Sequence, residues 1–212
     1  MDRLVLSAPD EALAAAWERF CGDLGFVHVQ RASILEADVD AVVSPANSFG
    51  VMDGGIDALY LDHFGREMVQ DLARAIVEQR HGELLVGDAL VVPTGAERIP
   101  WLIAAPTMRV PMRLDETVNP YLAARAVFLA VEHGRVALGP HAGEPVREHV
   151  KRVAMPGLGT GVGQVSPSVC AHQVRHAIDD ILLREYRMPQ TWAEASERHQ
   201  LLYTDRPRRL QH

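Results

Sequence analysis

Apolar residues along the chain fall into two kinds of run. Short blocks, Leu4-Val-Leu6, Phe26-Val-His-Val29, Ala41-Val-Val43, Ala89-Leu-Val-Val92, Trp101-Leu-Ile-Ala-Ala105 and Val150 to Met155, read as strands because they are brief, apolar and flanked by breakers. Longer stretches repeat apolar positions at helical spacing: Glu11 to Phe20, Leu59 to His81 with a break near Gly65, Tyr121 to His133, and Ser168 to Tyr186. Ser7 and Asp10 offer caps for the first of these, with Pro9 near its first turn. Asn119-Pro120 starts the third in the same way. Gly134 to Glu148 is rich in glycine and proline and predicts a loop with a short extended piece. After Pro189, Thr191 to Leu202 predicts a terminal helix packing Trp192, Ala195 and Leu202 onto the domain, and Arg206-Pro-Arg-Arg209 a frayed, solvated basic tail. Strands and helices alternate throughout. The expected fold is therefore α/β: a three-layer α/β/α sandwich with a central mixed sheet and helices on both faces.

Composition narrows the class. The 212 residues suffice for one sizeable core and leave little room for a second. Hydrophobic content of 48% and charged content of 23% are those of an ordinary soluble globular domain. A net charge of −7 argues against bulk nucleic-acid binding, which calls for a basic face. The two cysteines, Cys21 and Cys170, form no C-x-x-C pair, so neither a disulfide framework nor a cysteine zinc site is expected, and a reducing cytoplasm is the default location. Met1 to Leu6 lacks a basic region followed by a long apolar run, and no segment is long enough to span a membrane.

Two glycine-bearing stretches carry the chemistry. Ser44-Pro-Ala-Asn-Ser-Phe-Gly-Val-Met-Asp-Gly-Gly-Ile-Asp57 follows the strand at Ala41, and Pro156-Gly-Leu-Gly-Thr-Gly-Val-Gly163 follows the strand ending at Met155. Both lead into helical patterns, where α/β folds place their ligand loops. Glycine there lets backbone N–H groups approach anionic oxygens. A dinucleotide fingerprint fails in the second loop: Val162 holds the last position counted from Gly157, and Gln164 that counted from Gly159. No G-K-[ST] follows, so it is not a P-loop. The two loops read as a cradle for a phosphorylated ligand, with Asn47 and Asp57 available for polar recognition or chemistry.

Taken together and in order, the loops resemble those of the macro domain, the ADP-ribose-binding α/β/α module. Its pattern D-A-I-V-N-A-A-N-S-x-L, then G-G-G-V-x-x-A-I and a later S-T-G-I-Y-G, has counterparts in Asp40-Ala-Val-Val-Ser-Pro-Ala-Asn-Ser48, Asp53-Gly-Gly-Ile-Asp57 and Gly159-Thr-Gly-Val-Gly163. The likeness covers roughly Phe26 to Tyr186, within a macro-like domain of residues 1–188. Residues 189–212 would form a helical extension and basic tail. The resemblance implies that Asn47 contacts the distal ribose. Gly54, Gly55 and Ile56 would wrap the distal ribose and diphosphate, while Gly159, Thr160, Gly161, Val162 and Gly163 close over the diphosphate from the other side. Asp57 resembles the aspartate after Gly-Gly-Val in MacroD-type hydrolases, which acts on the distal ribose. Asp53 is open to the same two readings, an acid acting on the ribose or an acidic residue at a helix start, but lies where the family often has glycine.

The chain departs from the family pattern at three points. Ser33, before Ile34, stands where many members carry an aspartate for the adenine amino group. Ser44 replaces the first asparagine of N-A-A-N, and Gly163 stands where an aromatic side chain often packs on the ribose, a surface that Phe49 or Tyr60 could instead supply. The adjacent glutamates of poly(ADP-ribose) glycohydrolases are absent from Ile56 to Tyr60, so chain degradation is not implied.

Simpler readings stand beside these. Asn47 could satisfy its own turn, and Asp57 could serve only as an acidic residue favoured by a helix N-terminus. His172 and His176 lie four apart on a helix but lack a third ligand, so no metal site is expected, and no cofactor is implied. No G-x-S-x-G elbow occurs. Cys170 sits in a core-like pattern, and Arg109 and Arg113 could reach a phosphate from their loop. The expected partner is ADP-ribose or an ADP-ribosylated macromolecule, with metal-independent hydrolysis of mono-ADP-ribose or O-acyl-ADP-ribose. The alternatives are a non-catalytic reader, or a macro-fold binder of another nucleotide or sugar phosphate.

Overall fold

The computed structural model describes residues 1–208. Arg209, the last residue of the basic tail motif, lies outside the described residues, as do the three that follow it. Among the described residues six strands, β1 (Arg3–Ser7), β2 (Val27–Gln30), β3 (Ala41–Ser44), β4 (Leu90–Pro93), β5 (Trp101–Ala104) and β6 (Arg152–Met155), form one sheet in the order β2-β1-β6-β3-β5-β4. All pairings are parallel except β4 with β5, so the sheet is mixed. The helices are α1 (Glu11–Cys21), α2 (Gly55–Phe64), α3 (Arg66–Arg80), α4 (Asn119–His133), α5 (Val146–His149), α6 (Pro167–Ile181) and α7 (Trp192–Leu201).

Strand periodicity builds the layers. Leu4, Leu6, Val43, Ile103, Val153 and Met155 point into one core, with Trp17 of α1, Phe128 of α4 and Val174 of α6. Their strand neighbours Val5, Val42, Leu102 and Ala154 point into the other, with Tyr60 of α2 and Met68, Leu72 and Ile76 of α3. Residues two apart share a face, so every strand except the edge strand β2 feeds both cores with apolar side chains, while β2 contributes Val27 to the first core alone. The result is three layers.

The sequence reading differs from the structure at identifiable places. Residues Arg3–Cys21, outside the stretch of family likeness but expected as a strand and a helix, form β1, which lies between β2 and β6 in the sheet, and α1, which packs on it. Helix α2 begins at Gly55, before the expected Leu59, because the glycine pair is the cap and first turn of the helix and not part of a longer loop. Helix α6 ends at Ile181 and not Tyr186; Arg184 takes a left-handed backbone (φ 59°) that breaks the helix. The segment from Gly134 to Glu148, expected as a loop with a short extended piece, does contain a bridge between Arg135 and Pro145, but adds the single turn α5.

Two expectations for the C-terminal region fail. Trp192 is 78% exposed and does not pack on the domain. The tail is anchored as far as Arg208, because the buried Gln200 brackets its backbone. Gln200 Nε2 donates to the Arg208 carbonyl at 2.8 Å, and its Oε1 accepts the Arg208 N–H at 2.7 Å. A buried amide that pairs both its donor and its acceptor holds a segment that composition alone reads as free.

Candidate functional site

A cleft of about 630 Å³ opens at the carboxyl ends of β1, β3, β5 and β6. That edge is where open α/β sheets bind ligands, and the volume is that of a small-molecule site. The first glycine loop brings Asn47, Gly54, Gly55, Ile56 and Asp57 to its wall. The second brings Gly159, Thr160, Gly161, Val162 and Gly163, and the turn after β2 adds Ser33 and Ile34. The residues that the family resemblance assigns to ligand and chemistry therefore meet at one cleft.

The first loop is stitched from within. Asn47 donates through Nδ2 to the Val51 carbonyl at 2.7 Å and accepts the N–H groups of Phe49 and Val51 at 3.1 and 3.3 Å. Its side chain thus sets the loop's shape, as asparagine does in turns. Thr107, after β5, ties down the loop's start, donating through Oγ1 to the Pro45 carbonyl at 3.0 Å. Helix α2 then starts at Gly55, with Gly54 as its N-cap and no side-chain cap. Its first-turn N–H groups, which have no intrahelical partners, are left at the cleft wall for an anionic group.

Asp57 occupies the first turn of α2 and is 7% exposed. Burial pushes its carboxyl up to about 6, because charge is costly in an apolar wall. The hydroxyl of Ser44, the last residue of β3, opposes that shift by donating to Oδ1 at 2.6 Å. Ser44 itself is fully buried. The departure from the family asparagine therefore places a short hydroxyl donor under the carboxylate. The arrangement holds one carboxylate oxygen fixed, at a group that changes charge near neutrality.

The second loop is closed by contact. Gly159 takes φ +69°, and a Cβ at Gly163 would lie 2.5 Å from the Gly159 carbonyl oxygen and 2.9 Å from Leu114 Cδ1. The Leu114 N–H also donates to the Gly163 carbonyl at 2.8 Å. Gly163 is glycine because the loop folds back on itself, leaving no room for a side chain there. At the opposite end of the cleft the Ser33 hydroxyl accepts the Leu35 N–H at 3.4 Å, and Glu36 accepts the Ser33 N–H at 3.2 Å. These contacts form a capping box around the 3₁₀ turn Ile34–Glu36.

Other candidates lie elsewhere. Tyr60 is fully buried, donating to the Val43 carbonyl at 3.0 Å, and offers no surface to a ligand; Phe49 lies outside the cleft wall beneath the Arg109 guanidinium. Arg109 pairs with Glu83 at 2.6 Å and Arg113 with Asp115 at 2.7 Å, and neither lines the cleft. Burial pushes the thiols of Cys21 and Cys170 up to about 12, as expected of core cysteines. His172 and His176 bring their Nε2 atoms to 3.0 Å on the outer side of α6, away from the cleft. The sequence reading missed Asp10, Leu13, Thr107 and Met108, which also line the wall. The signal was positional: each follows the carboxyl end of β1 or β5.

These features define a small-molecule-sized cleft framed by two glycine loops on a mixed α/β/α sheet. The family model of the macro domain matches residues 43–174, and the chain belongs to that family. An uncharacterized protein of Aquifex aeolicus (strain VF5) is 33% identical over 145 residues, covering 68% of this chain and 76% of its own. Among solved structures, the macrodomain of Mycobacterium tuberculosis DarG superposes with TM-score 0.55 at 21% identity, over 70% of this chain and 87% of that one. A mutant Oceanobacillus iheyensis macrodomain with ADPR superposes with TM-score 0.58 at 13% identity, over 95% of this chain and 90% of that one. At such identities the solved structures bear on the fold.

Proposed function

We propose that the cleft binds ADP-ribose and that the protein hydrolyses mono-ADP-ribosyl linkages with Asp57 as its catalytic residue. The observation that carries this reading is the buried Ser44–Asp57 pair at the start of α2, facing a cleft framed by two glycine loops. Family membership and the fold neighbour solved with ADPR support the ligand. In this reading the N–H groups of Gly55, Ile56 and the second loop hold the diphosphate, and Asn47 positions the first loop around the distal ribose.

Asp57 then stands beside the anomeric carbon. Ionised, it accepts a proton from a water whose oxygen bonds to that carbon, while the bond from the carbon to the leaving group breaks and the leaving group keeps the electron pair. The carboxylate also stabilises the positive charge that develops on the sugar ring. Ser44 keeps Oδ1 in place and favours the ionised form. For deacylation of O-acyl-ADP-ribose the water oxygen bonds instead to the acyl carbonyl carbon as its proton passes to Asp57. The ester C–O bond then breaks, its electron pair leaving with the ribose oxygen, which takes up the proton.

A second reading, a non-catalytic ADP-ribose reader, is favoured by Asn47, whose amide is already engaged by its own loop. A macro-fold binder of another nucleotide or sugar phosphate is motivated by Ser33, whose hydroxyl is spent on the turn. Incubation with mono-ADP-ribosylated protein and nucleic-acid substrates, wild type beside Asp57→Ala, separates the first two. Release of ADP-ribose by the wild type and its loss in the variant, with ADP-ribose still bound by both, is the expected result. Binding without release by either protein would establish the reader.

A further inference from the structure

At the opposite edge of the sheet from the cleft, three metal-competent side chains converge. His141 Nδ1 lies 3.1 Å and His149 Nε2 2.7 Å from the same oxygen, Glu144 Oε2. All three ligand atoms lie within 4.8 Å of one another. The two imidazoles are 4.4 Å apart between centroids and both pack against Trp101, at 6.1 and 5.6 Å. Trp101 is the first residue of β5, whereas the cleft forms beyond the other end of that strand, and none of the three residues lines it.

From this geometry we infer a site for a divalent transition-metal ion, zinc by preference, held by His141, Glu144 and His149. Two imidazoles and one carboxylate are a zinc ligand set, and the mixed nitrogen and oxygen donors disfavour magnesium and calcium. Tetrahedral zinc at about 2.0–2.2 Å from each ligand sets neighbouring donor atoms roughly 3.3 Å apart. The observed separations of 3.1 and 2.7 Å need open by only about 0.2 and 0.6 Å to reach that spacing. Each imidazole offers its lone pair once the proton on that nitrogen moves to the other ring nitrogen or is released. Water completes the coordination, because the trio faces solvent, with His141 and Glu144 about half exposed.

The backbone carrying the ligands is already fixed. Val136 N–H donates to the Glu144 carbonyl and Gly143 N–H to the Val136 carbonyl, both at 2.9 Å. Val146 N–H donates to the Gly134 carbonyl at 3.0 Å, and α5 places His149. Trp101, only 6% exposed, walls the site on its apolar side. Little ordering cost therefore remains for the ion to meet. Its role is to tie the turn that carries His141 and Glu144 to His149 at the end of α5, apart from the chemistry of the cleft.

The test is calorimetric titration of Zn²⁺ into the chelator-treated, full-length protein, with thermal unfolding alongside. One equivalent is expected to bind with Kd at or below about 1 μM, raising Tm by about 5–10 °C at a hundredfold excess over Kd. His141→Gln/His149→Gln should lose that equivalent, and His141→Gln alone, at a half-exposed position, should weaken it at least tenfold. His172→Gln/His176→Gln should keep it. Failure of the wild type to bind zinc below about 100 μM overturns the site. So does an equivalent that survives His141→Gln/His149→Gln or disappears with His172→Gln/His176→Gln.

Discussion

Ser44 Oγ donates a 2.6 Å hydrogen bond to Asp57 Oδ1 where β3 ends and α2 begins, with both side chains withdrawn from bulk water. Two opposed influences meet at this pair. Burial favours the neutral acid, while the serine hydroxyl favours the carboxylate, and burial wins to leave the group near 6. The cost of holding the charge is thus located in the side chain to which the proposed chemistry is assigned.

The stability consequence has a definite sign. Between about pH 4 and pH 6 the native protein keeps a proton on Asp57 that the unfolded chain has released, so this group makes stability fall as pH rises through that window. Asp57→Asn removes the charge and retains an acceptor for Ser44. Thermal unfolding should show the two proteins alike near pH 4 and the variant more stable at pH 7.5. The upper bound is about 3 kcal/mol, from roughly two pKa units. Equal stabilities at pH 7.5 would refute the assignment of a raised carboxyl.

Ser44→Ala removes the donor that favours the carboxylate, so Asp57 should titrate at still higher pH. The acid limb of the pH–rate profile for ADP-ribose release, expected near pH 6 in the wild type, should move upward. Activity at pH 6.5 should fall several-fold and recover by pH 8.5. An unmoved limb with uniformly reduced rate would show that Ser44 acts on packing alone.

Gly163 controls the second loop. A Cβ there meets the Gly159 carbonyl oxygen at 2.5 Å, so Gly163→Ala must displace backbone. ADP-ribose affinity should weaken at least tenfold by calorimetry, while Asp57→Asn retains affinity close to wild type. Unchanged binding by Gly163→Ala would mean that the loop does not touch the ligand.

Asp40 provides the opposite titration. It accepts the N–H groups of Lys151 and Arg152 at 2.9 and 2.8 Å and the Arg152 guanidinium at 2.8 Å, locking β3 to β6 at the end away from the cleft. Burial tends to raise its carboxyl, yet these bonds hold it below the ordinary range. Its contribution is present above about pH 4 and lost as pH falls below it. Asp40→Ala should cost about 1–3 kcal/mol at pH 7 by denaturant unfolding, with a smaller difference near pH 3.

Much of this was legible in the sequence where local chemistry decides the outcome. Ala41-Val-Val43 and Val153-Ala-Met155 are apolar on both faces, which marks central parallel strands, and the glycine loops announce themselves by spacing. Long-range packing was not legible. Gly163 reads as a missing aromatic, whereas Leu114, distant in sequence, fills its space. Tyr60 reads as a ribose platform but turns inward to the Val43 carbonyl. Trp192 reads as an anchor, yet the anchoring is done by Gln200, a polar residue with no hydrophobic signal. The His141–Glu144–His149 cluster stayed hidden because its ligands converge through a turn and not through helical spacing.

Whether the cleft is an ADP-ribose site is decided by calorimetric titration of ADP-ribose into the wild-type protein, beside AMP and ribose 5-phosphate. Saturable one-to-one binding of ADP-ribose at sub-millimolar concentration is expected, tighter than either fragment, since in the proposed function only the intact diphosphate reaches both glycine loops. No saturation by ADP-ribose up to about 1 mM, or tighter binding of a fragment, would contradict it.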